Sequence, residues 1–284
     1  MLTRDVGRQI AASHDPALPF RHLAGYLAAA DITFLNLESP FSDRGKRTMG
    51  GLVFNADPAY VAGLVLAGVD VVSTANNHAR DCGSHGLEYT YDWLKQHGLH
   101  PVGTSRSTAE THRGVVLERN GIRFGFLAYT YDQANGNWRD SDDRIAITDI
   151  PIMQQDVARL ARRCSVVIVS MHDGFEYQSQ PSAHQKSFAR AAVDSGAALV
   201  VGHHPHVVQR MEVYGNGIIF YSLGNFVFDQ FQREETQRGA LAEVEFGGNH
   251  LKDVRLLSVR ITRDGPIFCE DGPIKKASGI IQRP

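Results

Sequence analysis

Three histidines fall within four positions of VVGHHPHVVQ (200–209): His203, His204 and His206. An apolar run beginning at Ala197 leads into them. Pro205 fixes its own φ and disfavours helical geometry at the residue before it. The spacing therefore predicts an extended segment in which the rings of His204 and His206 project to the same side. Two imidazoles displayed at a strand end suit a metal ion. Three other apolar stretches end in the same kind of chemistry. ADITFLNLESP (30–40) runs out at Glu38, VDVVST (69–74) leads to Asn76, Asn77 and His78, and SVVIVS (165–170) leads to His172. Each piece has a bland alternative: a solvated glutamate at a strand boundary, asparagines that cap or turn, a hydrogen-bonded core histidine. In α/β sheets, however, the ligand crevice lies at the carboxyl ends of the strands. Four such ends would gather one carboxylate, one amide oxygen and several imidazoles. That donor mixture suits Mn, Fe or Zn better than calcium or a thiolate site.

The elements that must position these groups alternate. The first sixteen residues carry no signal of a strand or long helix, and a short helix is predicted from Phe20 to Ala30. Pro58 to Leu66 reads as a helix capped by Asp57. A further helix with apolar spacing at Leu87, Tyr91 and Leu94 is closed by Gly98, and HPVGT (100–104) is a short strand. GVVLER and IRFGFLAYT flank Asn120-Gly121 as a hairpin over 114–130. Residues 131–144 are polar and read as a surface loop. Helices are predicted over 149–163 and 182–195, with ALVV (198–201) as the strand that delivers the histidines. A second hairpin spans 211–225, and the chain from Leu241 onward is strand-rich without a closing helix. No repeat or low-complexity linker divides residues 1–284, so a single domain is expected.

Composition narrows the partners. The chain has 284 residues, 43% hydrophobic and 21% charged, with a net charge of −2 and no dominant basic cluster. Nucleic acid and anionic membrane surfaces therefore have no electrostatic support as partners. Three scattered cysteines suggest neither a disulfide framework nor a cysteine-based zinc site. No apolar run is long enough to span a bilayer, and no basic-then-apolar leader stands at Met1. A G-x-S-x-G nucleophile elbow is absent from the sequence, which disfavours a serine hydrolase.

Five segments in order, NLESP (36–40), ANNHARDCG (75–83), HDGFEY (172–177), GHHPHVVQ (202–209) and YSLGNFVFD (221–229), resemble the CapA/PgsA-type capsule-synthesis (poly-γ-glutamate biosynthesis) family. The resemblance runs to about Leu256. It implies an α/β fold, a metallophosphoesterase-like layered sandwich of mixed β-sheets flanked by helices. The family pattern places a Gly-Asp strand just before a Met-Leu-x-Arg segment. Here MLTR opens the sequence, so an N-terminally shortened copy lacking the first strand is expected, with residues 32–37 left at an open sheet edge. Any signal or anchor directing the protein to the cell envelope would lie upstream. Asp173 is a second departure, standing where an aromatic residue is common.

Carried over by position, the resemblance implies two divalent ions (Mn, Fe or Zn). Glu38 would bridge them, Asn77 would give its amide oxygen, and His172, His204 and His206 would be imidazole ligands. His78 would serve the leaving group, oriented by Asp81 three residues on. Asn76, His203, Glu176 and Asn225 are outer candidates, although His203 reads more readily as a solvent-facing neighbour. Tyr177, Phe226 and Phe228 would line an apolar wall or simply pack. The other histidines, His184 among them, and the cysteines read as surface or core residues. The implied activity is metal-dependent hydrolysis of a phosphoester or γ-glutamyl-type bond in cell-envelope polymer metabolism. The substrate would be an anionic polymer or a phosphoester, and other capsule-synthesis proteins are expected partners. The alternative is a non-catalytic accessory protein for assembly or export of an anionic polymer.

Overall fold

The chain alternates helix and strand as far as Phe220 and then continues in strands. The computed structural model describes residues 1–45, 51–131 and 141–276, so most of the loop expected at 131–144 lies outside the described residues. The first half contains α1 (Arg4–Ser13), α2 (Ala24–Ala28), β1 (Phe34–Asn36), α3 (Val61–Leu66), β2 (Val71–Ser73), α4 (Gly83–Gln96), β3 (His100–Val102) and α5 (Thr108–Thr111). β4 (Val115–Arg119) and β5 (Ile122–Thr130) form the first hairpin, followed by α6 (Ile150–Ala161), β6 (Val166–His172), α7 (Ala183–Asp194) and β7 (Leu199–His203). β8 (Met211–Tyr214) and β9 (Gly217–Phe220) form the second hairpin, and β10 (Arg238–Gly247), β11 (His250–Thr262) and β12 (Gly265–Lys276) complete the described chain.

Local chemistry explains most boundaries. Asn120 and Gly121 both take positive φ (51° and 76°), the backbone of a tight hairpin turn. The Asp149 carboxylate accepts from Ile152 N at 2.9 Å and starts α6, while Ser182 and Gln185 form a reciprocal capping box on α7. Two expectations fail. The opening stretch, which carries no signal, forms α1 without a side-chain cap because Val6 and Ile10, four apart, bury one face, with Leu2 buried just ahead of the helix. A helix this short is held by packing rather than by propensity. The helix expected over Phe20–Ala30 is instead a 3-10 turn at Leu18–Phe20 and the five-residue α2, which carries Gly25 and no side-chain cap.

Three sheets result. β1, β2 and β3 are parallel, and β1 lies at the edge of its sheet with β2 as its one strand partner among the described residues. The six-stranded sheet has the order β4-β5-β6-β7-β9-β8, parallel from β5 through β9 with antiparallel strands at both edges. β10, β11 and β12 form an antiparallel sheet. Side-chain parity sorts the layers. Val71, Val102, Phe126, Val166, Ile168, Val201 and Phe220 pack between the sheets together with Val254 and Leu256. Val167, Val169, Met171 and Val200 face the other way, onto Val157, Leu160, Phe188 and Ala192 of α6 and α7. Val72 faces Val6, Leu64 and Leu94 of the helices outside the small sheet. The layered sandwich of mixed sheets flanked by helices implied by the metallophosphoesterase resemblance is thus what the chain forms. A hydrogen bond of 3.2 Å between Ser170 Oγ and Ser73 Oγ spans the two sheets near their carboxyl ends.

Candidate metal centre

The same parity that buries Val166 and Ile168 between the sheets turns His172 into that space. Glu38 follows β1 by two residues, Asn76 to His78 follow β2, and His203 to His206 end β7. All the residues implied as ligands are buried. His172 Nε2 lies 2.8 Å from Asn77 Oδ1, and its ring is 5.0 Å from that of His204. His204 is in turn 6.1 Å from His206, whose Nε2 is 3.6 Å from Glu38 Oε1. Four strand ends therefore meet between the sheets.

The ligand loop is not extended. His204 has φ 99° and His206 φ 59°, on either side of Pro205, and Tyr177 beside them has φ 63°. β7 ends at His203 and the chain bends sharply at the carboxyl end of the sheet through these left-handed residues. Each such non-glycine residue costs on the order of 1–3 kcal/mol, the kind of strain that packing at functional sites retains. Tyr177 N donates to Pro205 O at 2.8 Å and holds the two loops together.

Hydrogen bonding fixes one tautomer. Asn225 Nδ2 donates to Thr236 O at 2.9 Å and to Gln230 Oε1 at 3.1 Å, so its Oδ1 is the atom that meets His206 Nδ1 at 2.9 Å. The Nδ1 must then carry the proton, and in the neutral imidazole Nε2 presents a lone pair towards Glu38 Oε1. That oxygen is buried without a hydrogen-bond partner, as are His172 Nδ1 and His204 Nδ1. Two electron-pair donors facing one another in a buried site call for a cation. Donors bound to one ion at roughly 2.1 Å stand about 3–3.5 Å apart, close to the 3.6 Å of the Glu38–His206 pair, whereas the 2.8 Å Asn77–His172 contact is that of a hydrogen bond. Burial pushes the imidazoles towards the neutral, ligating form: His203 is lowered to about 4, and His204 to about 3 with His206 and His78 adding to the effect. His172 is also lowered, by burial and then by the surrounding imidazoles. The residues therefore fit a divalent metal. Among the described residues, however, no group of three His, Cys, Asp or Glu side chains is gathered as a ready-made site. The donors stand as two pairs, one of them completed by an amide.

His78 sits beside the pairs, its Nδ1 2.7 Å from Asp81 Oδ2 and its ring stacked on Phe54 at 3.9 Å. Phe54 N donates to the same Asp81 oxygen at 2.6 Å, so the carboxylate is fixed from two sides. Asn76 ties strand ends together, donating to Leu37 O at 2.8 Å and accepting from His78 N at 3.1 Å. His203 is half-buried rather than solvent-facing, near Phe34, with Nε2 lacking a partner. The parity of β7 carries it inward with Leu199 and Val201. Glu176 is exposed on the loop after β6 and bonds its neighbour Tyr177, so the outer role expected for it at an imidazole is not seen. Phe228 is buried with its ring 4.8 Å from His206, and Phe226 packs in the core.

Residues missed from the sequence complete the surroundings. Asn36 Nδ2 donates to Glu38 Oε2 at 3.3 Å; its place two residues ahead of Glu38 was the available signal. Asp173, buried, accepts from Gly174 N and meets His184 Nδ1 at 2.5 Å. An open pocket of about 400 Å³ lies there, lined by Tyr131, Phe175, Glu176, His184 and His204. No helix among the described residues is long and apolar enough to cross a membrane.

Comparison with known proteins agrees with the motifs. Residues 1–230 match the family model described as bacterial capsule synthesis protein PGA_cap. The chain is 31% identical over 275 residues to a capsule biosynthesis protein CapA of Bacillus anthracis, covering 94% of this chain and 66% of that protein. It is 31% identical over 215 residues to a PGA biosynthesis protein CapA of Bacillus subtilis (strain 168), covering 74% of this chain and 57% of that protein. The chain thus spans only part of the length of these relatives. A solved structure of a hypothetical protein from Thermus thermophilus shares the fold, with a TM-score of 0.54, 16% identity, and coverage of 84% of this chain and 91% of that one. With the motifs in order and a family model matching most of its length, the chain belongs to the bacterial capsule synthesis (PGA_cap) family.

Proposed function

We propose that the chain is a metal-dependent hydrolase of capsule or cell-envelope polymer metabolism, cleaving a phosphoester or a γ-glutamyl-type amide. The observation that carries this reading is the buried Glu38–His206 pair, a carboxylate oxygen and an imidazole nitrogen 3.6 Å apart, with the other ring nitrogen held by Asn225. Glu38, Asn77, His172, His204 and His206 would hold the metal, two ions of Mn, Fe or Zn being the number and kind their chemistry suits. Bound there, the ions would activate water and neutralise charge on the substrate. His78, held by Asp81, would protonate or stabilise the leaving group. The aromatic rings of Tyr177 and Phe228 flank His206. The family's capsule role suggests work at the cell envelope beside other capsule-synthesis proteins.

A second reading, a non-catalytic accessory protein for an anionic polymer, draws on the absence of a ready three-residue site among the described residues. Elemental analysis of the purified chain, followed by assays of phosphoesters and γ-glutamyl peptides with and without chelator, separates the two. Metal uptake that His206→Ala abolishes, with turnover lost in parallel, is the expected result. A chain that takes up no Mn, Fe or Zn leaves the accessory reading.

A further inference from the structure

Arg233 lies outside every motif above and beyond residue 230, where the family model's match ends. It is exposed, and its guanidinium carbon lies over the Tyr177 ring at 4.6 Å from the centroid. It forms no ion pair with a carboxylate among the described residues, whereas nearby Arg4 is committed to Asp229 at 3.4 Å. Its backbone is fixed, since its carbonyl accepts from Thr236 Oγ1 at 3.0 Å and Gln237 Nε2 at 3.2 Å. The Tyr177 ring beneath it stands 6.3 Å from His206, and the Tyr177 hydroxyl accepts from Gln230 Nε2 at 3.3 Å. Gln230 Oε1 in turn accepts from Asn225, the residue that locks His206. An unneutralised guanidinium is thus mounted on an aromatic platform and tied by three side chains to the candidate centre.

We propose that Arg233 binds an oxyanion of the substrate, a carboxylate or phosphate next to the scissile bond, and holds it over the Glu38–His206 side of the site. A planar guanidinium takes both oxygens of such a group in parallel, and the ring below spends none of its N–H donors. This assignment rests on the hydrolase reading and adds to it the charge of the group that the site selects. No covalent step involves Arg233; it is a binding residue.

The test uses the full chain, with metal content measured for every variant. Wild type, Arg233→Gln, Arg233→Lys and Tyr177→Leu are titrated calorimetrically with inorganic phosphate and, separately, with glutarate. Arg233→Gln is expected to keep its metal and lose about tenfold in affinity for at least one probe, the scale of a charge-assisted hydrogen bond. Arg233→Lys should recover only part of the loss, because an ammonium lacks the fork, and Tyr177→Leu should weaken binding in the same direction. Loss confined to phosphate assigns a phosphoryl group, and loss confined to glutarate assigns a carboxylate. Unchanged affinity in Arg233→Gln, no binding of either probe by wild type, or loss of metal with the arginine overturns the proposal. Absence of turnover with these titrations intact would count against hydrolysis while leaving Arg233 as an anion site.

Discussion

Asn225 holds His206 by its Nδ1 at 2.9 Å, and it does so from outside the donor pairs, through an amide whose nitrogen is anchored on Thr236 O and Gln230. Partners of this kind orient a ligating imidazole and raise its basicity. Asn225→Ala is therefore expected to weaken metal binding by roughly ten- to hundredfold while leaving all the implied ligands in place. Chelator competition on the variant measures this. Wild-type affinity in Asn225→Ala would mean that the tautomer is set elsewhere.

Asp81 is the counterpart on the His78 side, with one oxygen shared between the imidazole and Phe54 N. Asp81→Asn keeps the shape but offers either an oxygen or an amide nitrogen at that point. Turnover should fall by about 10²–10⁴-fold if His78 transfers a proton, with metal content unchanged. A variant that keeps full kcat removes His78 from the reaction.

Acid should destabilise the metal-free protein. Unfolded histidine titrates near 6.5, whereas burial holds His203 at about 4 and His204 at about 3. Between those values the unfolded chain binds more protons, so stability rises with pH there and flattens above about 6.5. Chelator-treated protein should lose roughly 1–4 kcal/mol between pH 7.5 and pH 5 from these two groups. Urea midpoints at the two pH values decide it, and an equal midpoint contradicts the burial argument.

Gly202 precedes the histidines in β7, and a Cβ there would stand 2.0 Å from Tyr221 O. Backbone cannot move aside as a flexible side chain does, so Gly202→Ala should cost about 3 kcal/mol or more. A denaturant midpoint near that of wild type would show that β7 and the chain after β9 separate more easily than their contact implies.

The donor residues could be picked out because they directly follow apolar runs, and they come together because the carboxyl ends of two parallel-stranded sheets face one another. The hairpin at Asn120-Gly121 and the cap at Asp57 were legible for an equally local reason. The bend at His204 and His206 was not: Pro205 argues for an extended His204, and the positive φ values belong to the turn the chain makes as it leaves β7. α1 escaped because three apolar residues without a cap give no pattern until something packs on them. The Asp173–His184 pair joins a strand end to a helix eleven residues away, a contact that spacing alone does not encode.

The family model stops at residue 230, but the machinery around His206 does not. Thr236 supplies the carbonyl that orients Asn225, and a Cβ on Gly239 at the start of β10 would come within 1.8 Å of Asn225 O. The C-terminal antiparallel sheet therefore works as a backstop pressed against the loop that aims an imidazole. A fragment trimmed to the recognisable motifs would keep every named ligand and lose the part that keeps one of them pointed.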